Sequence, residues 1–181
     1  PMSGVTTFFR LRAPWADGLP PDPSSVATAL EAGVANTLHE STAFLYTGDN
    51  AIQAGMAAAV IDPKRVAVLR GQVFGHDATP LPGVTLRVAR HPEYGWTLSR
   101  ADGRFDLAVN GGELLTLSYA KTGYLSAQRT LHVGWQQYEP VPPVILVEPD
   151  PRTTTVDLSA GHHIQWVTGG VSSDADGMRQ A

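Results

Sequence analysis

Between residues 66 and 147 apolar residues recur at every second position in short runs, and each run ends in Gly, Pro, Asp or Asn. Val84, Leu86 and Val88 alternate with Thr85, Arg87 and Ala89, and Phe105, Leu107 and Val109 alternate with Arg104, Asp106 and Ala108. Leu115, Leu117 and Tyr119 repeat the scheme, as do Leu131 and Val133. A period of two marks a strand with one buried face, because successive side chains of an extended chain leave on opposite sides. With residues 66–74 first and 144–146 last, about seven strands are expected, at the spacing of a β-sandwich. The alternation assigns Val84, Leu86, Val88, Phe105, Leu107, Leu115, Leu117 and Leu131 to the interior.

The connections have turn chemistry. Pro80-Leu81-Pro82-Gly83, Ala101-Asp102-Gly103-Arg104 and Asn110-Gly111-Gly112 each permit a reversal. Asp102-Gly103 suits a tight hairpin, since both central residues tolerate positive φ, and it falls between candidate strands at 96–99 and 104–109. Gly83, Asp102, Gly103, Asn110, Gly111 and Gly112 are the expected structural turn residues.

The pattern changes on both flanks. Pro20-Pro21-Asp22-Pro23 breaks structure, Ser24 or Ser25 can cap a helix, and Val26, Leu30, Val34 and Leu38 then recur every four residues. One amphipathic helix follows. Gly33 in its middle costs about 1 kcal/mol relative to Ala, so this helix needs a surface to pack on. Beyond the alternating region, Glu148-Pro149-Asp150-Pro151 reads as a linker to strand-like text at 153–158 and 164–167. Residues 174–179 read as a hairpin whose second strand has barely begun at Ala181, with a partner strand expected outside the chain. The expected organisation is an N-terminal segment at 1–62, a β-sandwich at 63–150, and at 151–181 a linker with the first strands of a second β domain.

Composition narrows the function classes. Hydrophobic residues are 43% and charged residues 17% of the 181, too apolar for a disordered chain. Net charge is -4, from 13 basic and 17 acidic residues without a basic run, so no nucleic-acid partner is expected. There is no Cys, hence neither disulfide nor thiolate metal site. No apolar stretch of about 18 residues is present and the start lacks the features of a signal peptide, so direct membrane insertion is not expected.

The candidate chemistry is sparse. His162-His163, with His132 or His91, suggests zinc, but adjacent strand residues face opposite ways and loop histidines are the better reading. Asp174-Ala175-Asp176-Gly177 lacks the third acidic position and the Glu of a calcium loop, and reads as a turn. Ser, His and Asp are present without a Gly-x-Ser-x-Gly elbow to organise a hydrolase. Tyr94, Trp96, Trp135 and Tyr138 form either a sugar-stacking platform or a packing surface toward the flanking segments. Packing is the favoured reading, and the placement of Trp96 and Trp135 discriminates. No catalytic, cofactor or metal residue is assigned.

Val68-Leu69-Arg70-Gly71-Gln72-Val73 followed by Thr79-Pro80-Leu81-Pro82-Gly83-Val84 is similar to the opening of carboxypeptidase-regulatory-like and transthyretin-like domains. His91-Pro92-Glu93-Tyr94-Gly95, Arg100-Ala101-Asp102-Gly103-Arg104-Phe105-Asp106-Leu107, Val109-Asn110-Gly111-Gly112 and Leu115-Thr116-Leu117 resemble, in order, the matching run of teneurins. The stretch 66–150 thus resembles the transthyretin-like domain of teneurins and bacterial Rhs-type YD-repeat proteins. Phe44-Leu45-Tyr46-Thr47-Gly48 and Ile61-Asp62-Pro63 are similar to the lead-in of the bacterial proteins, and residues 171–181 to the start of their fibronectin-like plug.

That resemblance implies a mainly β, seven-stranded transthyretin-like sandwich and a non-enzymatic structural module, secreted or at the bacterial surface. Its implied partners are the remainder of the parent YD-repeat shell and plug, covalently joined or after cleavage, with a C-terminal toxin often enclosed. Release by proteolysis before Pro1 is one implication, and an ordinary chain boundary explains Pro1 equally. A carbohydrate- or cell-surface-binding module of a secreted adhesin is the rival reading. The transthyretin fold also has a ring-opening hydrolase branch, whose short C-terminal motif is not found here.

Overall fold

The structure, a computed structural model, describes residues 14–15, 17–31, 33–152, 154–156, 164, 166–167, 170–174 and 177–180, with the backbone alone at 171–174 and 177–180. Pro1 and the pair His162-His163 lie outside the described residues. Two compact units are present, one ending at Val147 and one beginning at Glu148.

The alternating runs become β1 (Val66–Phe74), β2 (Thr85–Val88), β3 (Thr97–Leu98), β4 (Arg104–Asn110), β5 (Glu113–Ala120), β6 (Ala127–Val133), β7 (Gln137–Pro140) and β8 (Val144–Ile145). β1 is antiparallel to β4, parallel to β7, and through its last residues parallel to β8; the second sheet runs β3-β2-β5-β6, antiparallel throughout. The fold is the mainly β sandwich that the alternation predicts, with eight strands rather than seven. The uncounted strand is β7, whose Gln137-Tyr138-Glu139-Pro140 carries no apolar alternation; its proline, which cannot donate to a ladder, suits an edge.

Between the sheets Ala67, Leu69, Val73, Phe105, Leu107 and Val109 face Leu86, Val88, Leu115, Leu117, Tyr119 and Val133 in one buried cluster. Full burial of each large side chain stabilises by roughly 1.5–3 kcal/mol. Leu131, expected inside, is only half-buried and packs against this cluster from β6, because that strand forms the open edge of its sheet.

β1 and β4 are buried on both faces, although alternation predicts one. The cause is a third layer. Leu45 and Ile52 from the lead-in pack on Val68 at the outer face, and Gln53 reaches the backbone of Ala108. Residues 14–62 and the sandwich therefore share one unit.

The expected long helix over Val26, Leu30, Val34 and Leu38 does not form. Instead α1 (Pro23–Val26) and α2 (Leu38–Thr42) are single turns separated by non-helical chain, with a 3-10 turn at Ala43–Leu45. α1 starts one or two residues earlier than the expected cap at Ser24 or Ser25: Asp22 is the cap, accepting the Ser24 N–H at 2.8 Å, both serines lie inside the turn, and it ends at Ala27. Leu30 and Val34 are 51% and 57% exposed, so the middle of the stripe finds no surface to bury on, and Gly33 adopts a φ of 88°. A short helix without packing is not stable in water. α2 forms at a capping box in which Thr37 and Glu40 cap each other.

Asp102-Gly103 makes a turn but not the expected hairpin. Arg100 N–H donates to Arg104 C=O at 2.8 Å and Asp102 Oδ1 accepts the Arg104 N–H at 2.9 Å, yet β3 pairs with β2 and β4 with β1. The turn carries the chain from one sheet to the other. Gly103, at φ 74°, lets this happen, since a Cβ there would lie 2.4 Å from Val73 C=O. Asn110-Gly111-Gly112 likewise crosses between sheets, from β4 to β5.

In the second unit β9 (Val171–Asp174) and β10 (Gly177–Gln180) are antiparallel, with Asp174 opposite Gly177. The second strand, expected to have barely begun, is complete enough to pair within the chain, because only two residues separate the strands. No strand forms at the described residues of the strand-like stretches, 154–156, 164 and 166–167. Ile164 and Trp166 are 85% and 86% exposed, so their apolar character does not report burial.

Candidate functional site

Across the outer face of the β4-β1-β7 sheet runs a row of four side chains, one from each neighbouring element. Register sets it. Arg70 of β1 stands opposite Asp106 of β4, and Tyr138 of β7 stands opposite Val68, two residues back on the same face of β1. Arg70 Nε donates to Asp106 Oδ1 at 2.6 Å, and Arg100, from the turn after β3, donates a terminal N–H to Asp106 Oδ2 at 2.8 Å. The Arg70 guanidinium lies over the Tyr138 ring, 4.5 Å from its centroid.

Asp106 is 1% exposed, and a carboxylate so buried needs opposite charge and hydrogen bonds on both oxygens, which the two arginines supply. Beside the row lies a cleft of about 430 Å³ lined in part by Arg70, Arg100, Arg104, Asp22 and Asp102. A second cleft of about 750 Å³ shares Asp22, Arg100 and Asp102 with it and is walled by Trp15 and Pro20.

The four aromatic residues singled out by sequence do not form a common surface. Tyr94 and Trp96 are buried at 3% and 6% exposure. Trp96 meets Trp15 edge-on at 5.5 Å and exchanges backbone hydrogen bonds with Ala54, while Tyr94 stacks on His91. Trp135 and Tyr138 are 60% and 44% exposed. Trp135 seats its indole against Gly111 and Gly112, where a Cβ on Gly112 would lie 2.0 Å from Nε1.

The turn residues act by close approach. Gly83 has φ 70° and follows Pro82, whose carbonyl accepts from Lys121 Nζ at 2.8 Å. Asn110 closes β4 and ties the lead-in, donating to Val60 C=O and accepting the Asp62 N–H, both at 2.8 Å. Among the described residues no group of three His, Asp or Glu is placed to hold a metal ion. His91 instead contacts Glu93 at 2.9 Å, and that bond holds the Glu93 carboxyl below its ordinary value.

Sequence reasoning missed Arg70, Arg100, Asp106 and Gln53. Arg70 and Asp106 sit at polar positions of the alternation, which reads as solvent exposure until strand pairing sets them opposite each other. Only the outward placement of an acid and a base on two strands hinted at this.

A family profile described as the teneurin TTR-like domain matches residues 61–146. Teneurin-1 of Gallus gallus is 37% identical over 99 residues, covering 55% of this chain and 4% of that protein. Teneurin-1 of Mus musculus is 44% identical over 85 residues (47% and 3%), and Teneurin-3 of Mus musculus 28% over 149 residues (81% and 6%). The chain therefore spans only a few per cent of the length of these relatives. Among solved structures, 3-chlorocatechol 1,2-dioxygenase from Rhodococcus opacus has a TM-score of 0.40 at 14% identity, over 54% of this chain and 67% of that one. The TIE protein of Bacillus anthracis has a TM-score of 0.40 at 13% identity, over 46% and 17%. Likeness at that level carries no argument about chemistry.

Proposed function

We propose, on the premise that residues 61–146 are a transthyretin-like domain of the teneurin family, that this teneurin-like structural module is a non-catalytic part of a secreted or surface-exposed bacterial YD-repeat protein. In this reading it packs against the parent shell and helps close it, the hairpin of β9 and β10 begins the plug, and the shell encloses a C-terminal toxin. The observation that supports the reading is how the module uses its aromatic residues. Trp96 and Tyr94 are spent inside, with Trp96 against Trp15 of the lead-in, so the segment before the domain and the domain itself make one compact unit fit to bear on neighbours.

Electron microscopy of the full-length parent tests this. A hollow shell of YD repeats contacting the sandwich is the expected result; a parent without such repeats overturns it. The exposure of Trp135 and Tyr138 favours a second reading, a carbohydrate- or surface-binding module, in which Trp135→Ala abolishes glycan binding while leaving the fold intact. Glycan-array binding by the isolated chain would favour that reading over the scaffold.

A further inference from the structure

Of the asparagines Asn36, Asn50 and Asn110, only Asn110 precedes a glycine. Glycine leaves its amide nitrogen uncrowded and its backbone free to turn, so that nitrogen can reach the side-chain carbon of the residue before it. Asn110-Gly111 is therefore the pair in this chain with a ready route to a cyclic imide.

In the folded chain both reacting groups are occupied. Asn110 Nδ2 donates to Val60 C=O and its Oδ1 accepts the Asp62 N–H, both at 2.8 Å. The nucleophile is held separately, because Gly111 N–H donates to Arg65 C=O at 2.7 Å. Gly111 C=O accepts in turn from Arg65 Nε at 3.1 Å and from a terminal nitrogen of the same guanidinium at 2.8 Å. Gly111 also lies against Gly134, whose carbonyl a Cβ at 111 would overlap, so the backbone has no room to swing. All of these hydrogen-bond partners lie on residues 60–65, a segment anchored in the core by Ile61 at 7% exposure. Such a segment can open locally while the rest of the fold stays intact.

We propose that Asn110 is a self-modification site gated by residues 60–65. When that segment leaves the end of β4, the Gly111 nitrogen gives its proton to hydroxide and attacks Asn110 Cγ. The new C–N bond closes a five-membered imide, and Nδ2 departs as ammonia. Water then opens the ring, at Cγ to give aspartate or at the Asn110 backbone carbonyl to give isoaspartate. Neither product restores the lock. A carboxylate has no N–H for Val60 C=O, and isoaspartate adds a backbone carbon where Gly111 has no space. A reversible opening thus becomes permanent. This chemistry goes beyond the scaffold reading and does not depend on it.

The full chain is incubated at mildly alkaline pH, and peptide mapping by mass spectrometry measures aspartate and isoaspartate at position 110. Unfolded in guanidinium chloride, Asn110 should convert ahead of Asn36 and Asn50. In the folded chain it should convert at least about a hundredfold more slowly. Ile61→Val, which trims the anchor by one methyl, should raise the folded rate about three- to tenfold and leave the unfolded rate unchanged. In chains converted to isoaspartate, hydrogen-exchange protection of the Asp62 N–H should be lost. Equal rates in folded and unfolded chains, or a wild-type rate in Ile61→Val, overturn the gate. Retained protection at Asp62 overturns the permanence. Guanidinium below the unfolding transition loosens the wild-type segment in the same way, and decides the question if Ile61→Val folds poorly.

Discussion

Gln53 and Ala108 exchange two hydrogen bonds in the manner of neighbouring strands. The Gln53 amide donates to Ala108 C=O at 3.0 Å, and Ala108 N–H donates to Gln53 Oε1 at 2.7 Å. A further bond from Gln53 Nε2 reaches Tyr94 C=O at 2.6 Å. β4 is the outermost strand on its side of the sheet, and an unpaired strand edge invites pairing with other chains. A side chain from the lead-in closes it.

Gln53→Leu keeps the volume and removes the amide, leaving the buried Ala108 N–H and C=O and the Tyr94 C=O without that partner. A loss of about 3–5 kcal/mol is expected from three orphaned groups. The midpoint of urea unfolding measures it, and an unshifted midpoint would show that water replaces the amide.

Phe105→Ala should lower stability by about 3–5 kcal/mol. Phe105 is 1% exposed, meets Tyr119 edge-on at 6.0 Å and lies across Gly71 of the facing strand. A Cβ on Gly71 would sit 2.7 Å from the ring, so Gly71→Ala should also destabilise, by about 1–3 kcal/mol. Thermal unfolding of the two variants ranks them; a larger loss for Gly71→Ala contradicts the assignment of Phe105 to the centre of the core.

Gly112→Ala faces both a φ of 97° and the indole of Trp135. The backbone conformation alone costs an alanine about 1–2 kcal/mol, and the indole must leave its seat. The expected signature is a red shift of tryptophan fluorescence together with lower stability. An unchanged spectrum would place Trp135 elsewhere.

The Glu40 carboxyl is held below its ordinary value by hydrogen bonds from the Thr37 backbone N–H and hydroxyl, and that of Asp22 by hydrogen bonds from the hydroxyl and N–H of Ser24. A depressed folded value means that each contribution is complete above the unfolded-state value and is lost as pH falls through the folded one. Below about pH 4 the starts of α1 and α2 therefore loosen. Amide protection factors at Glu40 and Ser41, taken relative to intrinsic exchange at each pH, should fall on acidification, and Glu40→Gln should remove that pH dependence. Equal acid sensitivity in the variant would refute the cap as its source.

Alternation located the strands because most bury one face, and Leu86, Phe105, Leu107, Leu115 and Leu117 lie where their spacing puts them. It failed where another layer intervenes. Val68 and Ala108 are buried on the outward side because Leu45, Ile52 and Gln53 cover them, which strand periodicity cannot report. The four-residue spacing of Val26, Leu30, Val34 and Leu38 misled for the opposite reason, since Val26 and Leu38 pack on the core but Leu30 and Val34 between them have nothing to pack on. Asp102-Gly103 was legible as a turn, whereas its passage from sheet to sheet depends on pairings set by distant residues. Arg70, Asp106 and Arg100 became a cluster only through that same pairing.

β1 runs parallel to both β7 and β8, so the strand that opens the sandwich and the strand that ends it point the same way. Tension applied to the chain before Val66 and after Ile145 would drag these strands lengthwise past each other. Their ladder bonds would be loaded in shear, all together, instead of peeling apart one by one, an arrangement suited to a part that transmits load along its own polypeptide.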